Sequence, residues 1–381
     1  MKDLRIIIQV FLLFAGTFMA EIRTLADNTQ MEKDITFSQI SIQDGLSQST
    51  VLSITQDSKG HMWFATHDGL NRYDGYEFTI YRHNPEDSTT IADNIIRKVY
   101  IDEFDKLWIG TESGLSYYDR TLDQFRNFNT DGKSVTSICG MPDGKILVAA
   151  GGELNIFDSH TEQWKKSSPP CQNESFGATI LYKEEGNIWI GTKSEGLFCF
   201  HLGSNDIKRV SSFKSDRAIQ CILKHDGKIF IATEGDGLHC IDGANEQNIV
   251  YHHNESDPRS ISSNYVRTLS TDSFGRLWVG TFQGLSILEN QSFHNIKSDP
   301  LSEGSLSQNS VRCISQDNQG GMWLGTWFGG VNYWHPLRNR FTSIKMTYGN
   351  NSLNDNVVNC ITEDSDGSLW IGTNSGGVNH L

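Results

Sequence analysis

From Phe37 onward, apolar and polar positions alternate in short runs, and Gly, Asp, Asn or Ser separates one run from the next. Residues 95–127 show the pattern well. Four β-type runs, Ile95–Asp102, Lys106–Thr111, Leu115–Asp119 and Gln124–Asn127, are divided by turn residues such as Ser113-Gly114. Proline is nearly absent from the runs, and the i, i+3, i+4 spacing of an amphipathic helix is missing. A period near two with turn punctuation predicts strands joined by hairpins.

The runs belong to a repeat. One phrase returns along the chain: a polar turn with Gly, an apolar residue, Trp, apolar, Gly or Ala, Thr, a short turn and Gly-Leu. It reads GHMWFATHDGL up to Leu70 and DKLWIGTESGL up to Leu115. The anchor positions are Trp63, Trp108, Leu147, Trp189, Phe230, Trp278, Trp323 and Trp370, separated by 45, 39, 42, 41, 48, 45 and 47 residues. Four strands per unit at this period is the signature of a β-propeller blade. The fold class is therefore all-β, a propeller of four-stranded blades, with a β-solenoid as the competing arrangement. The shared Trp is expected to pack between blades, and the Gly after it, as in Gly110 and Gly280, to allow close sheet approach. Phe37–Ile42 reads as a fourth strand that completes the copy around Trp323 and closes a seven-bladed ring over 35–340. Residues 341–381, beginning with the strand-like Phe341–Lys345, would then start a second ring. An eight-bladed ring is the alternative.

Composition narrows the function. The 381 residues include 35 Gly and only 7 Pro, and the formal net charge is −14. That charge, with no basic cluster to offset it, argues against nucleic acid as a partner, because phosphate contacts need basic patches. At the N-terminus, Lys2 and Arg5 precede an uncharged run, Ile6–Ala20, that reads as a secretory signal peptide over residues 1–20. A retained anchor is the other reading of that run. Seven cysteines in an exported chain invite a disulfide, but the count is odd and the spacing shows no framework. Cys313 and Cys360 occupy one repeat position, as do Cys199 and Cys240, which suits small residues on buried strands.

The phrase Asp-x-x-Gly-x-Leu-Trp-Ile-Gly-Thr-x-x-Gly-Leu-x-x-Tyr, best matched around Trp108, Trp278, Trp323 and Trp370, resembles the two-component regulator propeller repeat. The resemblance covers residues 35–381. It implies the periplasmic sensor region of a bacterial hybrid two-component regulator. There, two seven-bladed propellers precede a β-sandwich, a membrane helix, a histidine kinase, a receiver and a DNA-binding module. It implies an oligosaccharide ligand, control of glycan-utilisation genes and a homodimeric parent. No kinase glycine loop, phospho-acceptor helix, receiver or helix-turn-helix pattern is present in this sequence. The resemblance thus implies a sensor role without phosphotransfer by this chain, which looks like a truncated member whose membrane contact lies in other parts.

Candidate ligand residues come from two loop sets that share one face of a propeller. Loops after second strands include Phe282-Gln283, Trp327-Phe328 and Asn374-Ser375. The long loops His83–Asp93, Asn254–Ser263 and Ser298–Gln308 each lead into a repeated phrase, as in Ile261-Ser-Ser-Asn264-Tyr-Val-Arg267. Its Arg copies, Arg97, Arg267 and Arg312, fall early on inner strands near the channel mouth. A planar guanidinium there binds carboxylate or stacks on a ring, or else pairs with Asp or carbonyls between blades. Asn94, Asn264 and Asn309 read as turn formers. Trp327, Phe328 and Trp334 form an aromatic cluster suited to a sugar face, or else to core packing or a contact between two propellers. No catalytic constellation, metal site or cofactor site is expected. Asp364-Ser-Asp366-Gly367 lacks the later acidic ligand of a calcium loop and reads as a hairpin turn, and His252-His253 lacks metal spacing. A secreted propeller lyase or glycosidase using Glu112, Glu195, Glu234 and Asp236, and a protein-interaction scaffold, are the competing functions.

Overall fold

The computed structural model describes residues 35–166, 176–204, 206–242, 247–302, 304–337, 344, 346 and 352–381. They divide into two compact units, Met1–Trp334 and His335–Leu381. The expected signal peptide and most of Phe341–Lys345 lie outside the described residues.

The first unit holds seven four-stranded antiparallel sheets. Blade 1 runs, from inside outward, Val51–Gln56, Met62–Thr66, Leu70–Tyr73 and Phe78–Tyr81. Blade 2 follows with Ile96–Ile101, Leu107–Thr111, Gly114–Asp119 and Gln124–Asn129. Blades 3 to 6 repeat the meander with inner strands Val135–Gly140, Ala178–Glu184, Ile219–His225 and Val266–Thr271. Blade 7 takes Val311–Gln316, Met322–Thr326 and Val331–Trp334 from one end of the unit. Its outer strand is Ser38–Ile40, from the other end. The register is Ser38↔Tyr333, Gln39↔Asn332 and Ile40↔Val331. Each inner strand touches the next, and the seventh touches the first, so the circuit is closed. Closure protects the sheet edges that an open stack would leave unpaired.

The Asp and Trp of the repeat bond to each other. In blade 1, Trp63 Nε1 donates to Asp57 Oδ2 at 2.9 Å, while Asp57 Oδ1 accepts the Lys59 and His61 amides. The same bond joins Trp108 to Asp102, Trp278 to Asp272 and Trp323 to Asp317 at 2.8–2.9 Å. One carboxylate thus shapes the hairpin and satisfies an indole N–H that would otherwise be buried unpaired. Blades 4 and 5 use a tighter turn. Glu185-Gly186 and Asp226-Gly227 have positive φ at both positions, 37° and 82°, then 48° and 73°, as two-residue hairpins require. In blades 1, 2, 6 and 7 the hairpin thus rests on specific hydrogen bonds of the Asp carboxylate.

The core is divided among the blade interfaces. Seven apolar clusters each join one blade to the next, such as Trp63, Ala65 and Leu70 with Ile96, Val99 and Ile109. Trp323 and Val331 join Val51, Ile54 and Phe64 across the closing interface. The glycine after the Trp is there for space. A Cβ on Gly280 would lie 2.4 Å from Thr268 Cγ2 and 2.8 Å from Val311 Cγ1, the latter on the next blade.

The second unit contains one three-stranded sheet, Val358–Glu363, Leu369–Thr373 and Val378–His380. It repeats the motif, with Trp370 Nε1 donating to Asp364 Oδ2 at 3.2 Å. Trp370 and Cys360 are exposed, which corrects the expectation of a buried Cys360. Among the described residues of its own unit, no second sheet flanks it. The six described cysteines are unpaired, and Cys139, Cys199, Cys240 and Cys313 are buried. Cys171 lies outside the described residues.

Candidate functional site: the mouth of the ring

All seven inner strands begin with the same irregularity. In blade 2 the ladder pairs Ile96 with Thr111 and then Lys98 with Gly110, leaving Arg97 out of register. The bulge residues of blades 1 to 7 are Leu52, Arg97, Thr136, Thr179, Gln220, Arg267 and Arg312. A bulge frees a side chain from the pleat and re-aims it. The flanking positions, such as Val51, Ile96, Val135 and Ile219, are buried, whereas the bulge residues are part-exposed or exposed. The residue after each second strand joins its own blade's bulge. Backbone bonds such as Glu112 N–H to Ile95 O at 3.0 Å and Trp327 N–H to Ser310 O at 3.1 Å hold it there. In blade order these residues are His67, Glu112, Gly151, Lys193, Glu234, Phe282 and Trp327.

The three candidate arginines take different partners. Arg97 Nε donates to Glu112 Oε2 at 2.6 Å, and Ser134 Oγ donates to the same oxygen from blade 3. The guanidinium beside it holds the Glu112 carboxyl below the ordinary carboxylate range. Arg267 lies 5.3 Å from the centre of the Phe282 ring, and Arg312 lies 4.8 Å from that of Trp327. These are cation–π contacts within one blade. The pairing with Asp or with carbonyls across blades, considered for the three arginines, does not describe them. Burial pushes the Arg267 pKa down, partly offset by Glu234, and the group stays charged.

The aromatic residues separate. Phe282, Trp327 and Phe328 line a recess of about 440 Å³ together with Ser298, Gln308, Asn309 and Ser310. Phe282 is 50% and Phe328 64% exposed, and the Phe328 ring stands on edge to Trp327 at 5.7 Å. The His67 ring of blade 1 also meets Trp327, edge-on at 5.7 Å. Trp334, grouped with this cluster in the sequence reading, is buried against Trp278 at 5.3 Å. It is the last residue of the third strand of blade 7 and packs in the cluster between blades 6 and 7.

Asn94, Asn264 and Asn309 each do more than close a local turn. Their Oδ1 atoms accept the amides of His83, His253 and Ser298, eleven residues earlier, at 2.7 Å. They tie the start of each long loop to its end, which holds the rim in place. The carboxylates considered for catalysis are scattered. Glu112 holds Arg97, Glu234 accepts from Gln220 at 3.1 Å, and Asp236 lies 3.0 Å from His239. No cluster of metal-ligating side chains occurs among the described residues. Ser298, Gln308 and Ser310 are recess residues that sequence reading did not single out. Their signal was the long loop Ser298–Gln308 running directly into an Arg-bearing inner strand.

The closed ring of seven four-stranded sheets defines a β-propeller. Residues 45–68, 260–283, 305–328 and 352–375 match the two component regulator propeller, so the chain carries that family's repeat. A curated relative, Histidine kinase P4 of Formosa agariphila, is 61% identical over 49 residues, which are 13% of this chain and 4% of the relative. Among solved structures, the chain is similar to the extracellular domain assigned to hybrid two component system BT3049 of B. thetaiotaomicron. The TM-score is 0.68 at 26% identity, over 91% of this chain and 53% of the other. A second extracellular domain from B. thetaiotaomicron, BT4673, matches with TM-score 0.66 at 21% identity, over 91% of this chain and 46% of that one, and shows the fold. The chain thus spans about half the length of these structures and a small part of the curated relative. Among the described residues, no helix is long and apolar enough to cross a membrane.

Proposed function

We propose that this chain is the ligand-sensing propeller of a hybrid two-component system, acting in the periplasm and detecting an oligosaccharide to control glycan-utilisation genes. The supporting observation is the recess at the mouth. Three aromatic rings, Phe282, Trp327 and Phe328, stand beside the amides and hydroxyls of Gln308, Asn309, Ser298 and Ser310. Aromatic faces pack against the C–H face of a sugar ring, and amides and hydroxyls match its hydroxyls. Arg97, Arg267 and Arg312 supply the polar rim. The likeness to extracellular domains of hybrid two component systems agrees with this reading. In the parent protein, a homodimer, the sugar shifts the signalling equilibrium only as far as it binds one arrangement better than the other.

The test is calorimetry of the full chain against a panel of oligosaccharides, with chromatography of each mixture for product. Saturable binding without product, abolished by F282A/W327A/F328A, supports a sensor. Product formation overturns it in favour of a propeller enzyme. Absence of binding across the panel overturns it in favour of a scaffold.

A further inference from the structure

The eight copies of the repeat in one chain can be compared position by position. Before the bulge they carry Val51, Ile96, Val135, Ala178, Ile219, Val266, Val311 and Val358. The second strands of seven copies end in Thr, whose hydroxyl donates to a Gly carbonyl, as Thr111 does to Gly114. The bulge position instead runs Leu, Arg, Thr, Thr, Gln, Arg, Arg and Asn. The position after the second strand runs His, Glu, Gly, Lys, Glu, Phe, Trp and Asn. Positions that pack are held nearly constant, while the two that face the mouth differ from copy to copy. A residue outside the ladder is released from the packing that constrains its neighbours. The mouth is therefore where the ring is free to carry chemistry.

That chemistry is unevenly distributed. In the first unit the two mouth positions hold four cations, Arg97, Lys193, Arg267 and Arg312, against two carboxylates, Glu112 and Glu234. This is a local excess of positive charge on a chain of net charge −14. Arg97 is committed to Glu112. Among the described residues neither Arg267 nor Arg312 has a carboxylate within ion-pair distance; each instead lies against an aromatic ring that lines the recess. Two polar atoms here are buried without a hydrogen-bond partner in the structure: Arg267 Nε and, on the recess wall, Gln308 Oε1. Holding a guanidinium partly out of water without a partner is costly, and a partner recovers that cost.

We propose that the ligand of this recess carries an oxyanion, a ring carboxylate or a sulfate ester, which Arg267 and Arg312 take while Phe282, Trp327 and Phe328 hold the ring that bears it. The inference rests on the saccharide reading and adds the charge of the ligand to it. Guanidinium groups match carboxylate and sulfate oxygens in a planar fork. Blades 6 and 7 thus form the recognition side of the mouth. The two threonines opposite are turned to backbone: Thr136 Oγ1 donates to Ala149 O and Thr179 Oγ1 to Ile219 O.

The test uses the full chain and matched sets of di- and trisaccharides: uronic acid oligomers, their carboxyl-reduced neutral counterparts, and sulfated forms of those. The expected result is saturable binding of an acid or sulfated member at least tenfold tighter than its neutral counterpart, weakening as salt is raised. R267Q/R312Q removes that preference, R267K/R312K keeps part of it, and R126Q, which removes a distant cation, leaves it unchanged. Circular dichroism of each variant verifies the fold. Equal binding of acid and neutral members, or a preference that survives R267Q/R312Q, overturns the oxyanion inference and leaves the saccharide reading standing. No binding by any member overturns both.

Discussion

Asp57 provides the sharpest test of how the repeat holds the ring together. Its side chain is fully buried. One carboxylate oxygen accepts the Lys59 and His61 amides, and the other accepts Trp63 Nε1 at 2.9 Å and Arg120 from blade 2 at 2.8 Å. In Asp57→Asn the carbonyl oxygen can keep the backbone pair, but the new NH2 then faces two donors. The Trp63 N–H is left without an acceptor and Arg120 Nη1 loses its charged partner, while Arg120 Nη2 keeps Asp105. A buried donor without a partner costs about 1–3 kcal/mol and a lost charged hydrogen bond about 1.5–3, so the expected destabilisation is about 3–5 kcal/mol. With an unfolding entropy of about 2 cal/mol/K per residue over roughly 300 residues, that lowers the Tm of the ring by about 5–8 °C. The assay is thermal and urea unfolding at pH 7, followed by tryptophan fluorescence and circular dichroism. Acid adds a second reading. Burial alone would raise the Asp57 pKa, but the bonds from Trp63, His61 and Arg120 outweigh it and leave it below the ordinary value. The native state then takes up this proton only at a lower pH than the unfolded chain does. The contribution is complete above about pH 4 and is lost as pH falls through the lowered native value. The gap between wild type and Asp57→Asn should narrow over that interval. A loss below about 1 kcal/mol at pH 7, or a gap that widens in acid, would refute the reasoning.

Three further outcomes follow from the packing. Gly280→Ala pushes a methyl into Thr268 and Val311 and is expected to cost about 1–3 kcal/mol by overpacking, read from urea midpoints at unchanged slope. Phe37→Ala empties a buried site beside the closing strand, where Phe37 packs with Trp278, Leu306 and Trp334. A loss of about 3–5 kcal/mol that disappears when Ser38–Ile40 is deleted as well would tie the effect to closure. Thiol titration of the native chain should label Cys360 rapidly, and Cys360→Ser should lose that equivalent. Cys139, whose thiol burial pushes up to about 12, should react only on unfolding.

The blade was legible in the sequence because its grammar is local. In blade 2 the expected runs and the observed strands differ by at most two residues at an end. The Asp-x-x-Gly-x-Leu-Trp spacing sets hairpin, indole bond and interface at once, all within one repeat. Even the three copies without the Asp–Trp bond show their turns as Asp143-Gly144, Glu185-Gly186 and Asp226-Gly227, each at positive φ. The aromatic residues next to Thr281 and Thr326 were legible for the same reason, since the repeat places them after the second strand.

What the sequence could not state is which side chains the folded ring buries and which it leaves at the mouth. Trp327 and Trp334 are seven residues apart, yet one lines the recess and the other is buried against Trp278. Arg97, Arg267 and Arg312 share one phrase and one bulge, but only Arg97 has a glutamate after its second strand. Whether such an arginine is neutralised or left against an aromatic ring depends on a residue fifteen positions away, brought beside it by the hairpin. The sequence by itself determined the strands, their turns and the period that curls them. The closed circuit decided the mouth, because only there do seven separate bulges and the residues beside them face one another.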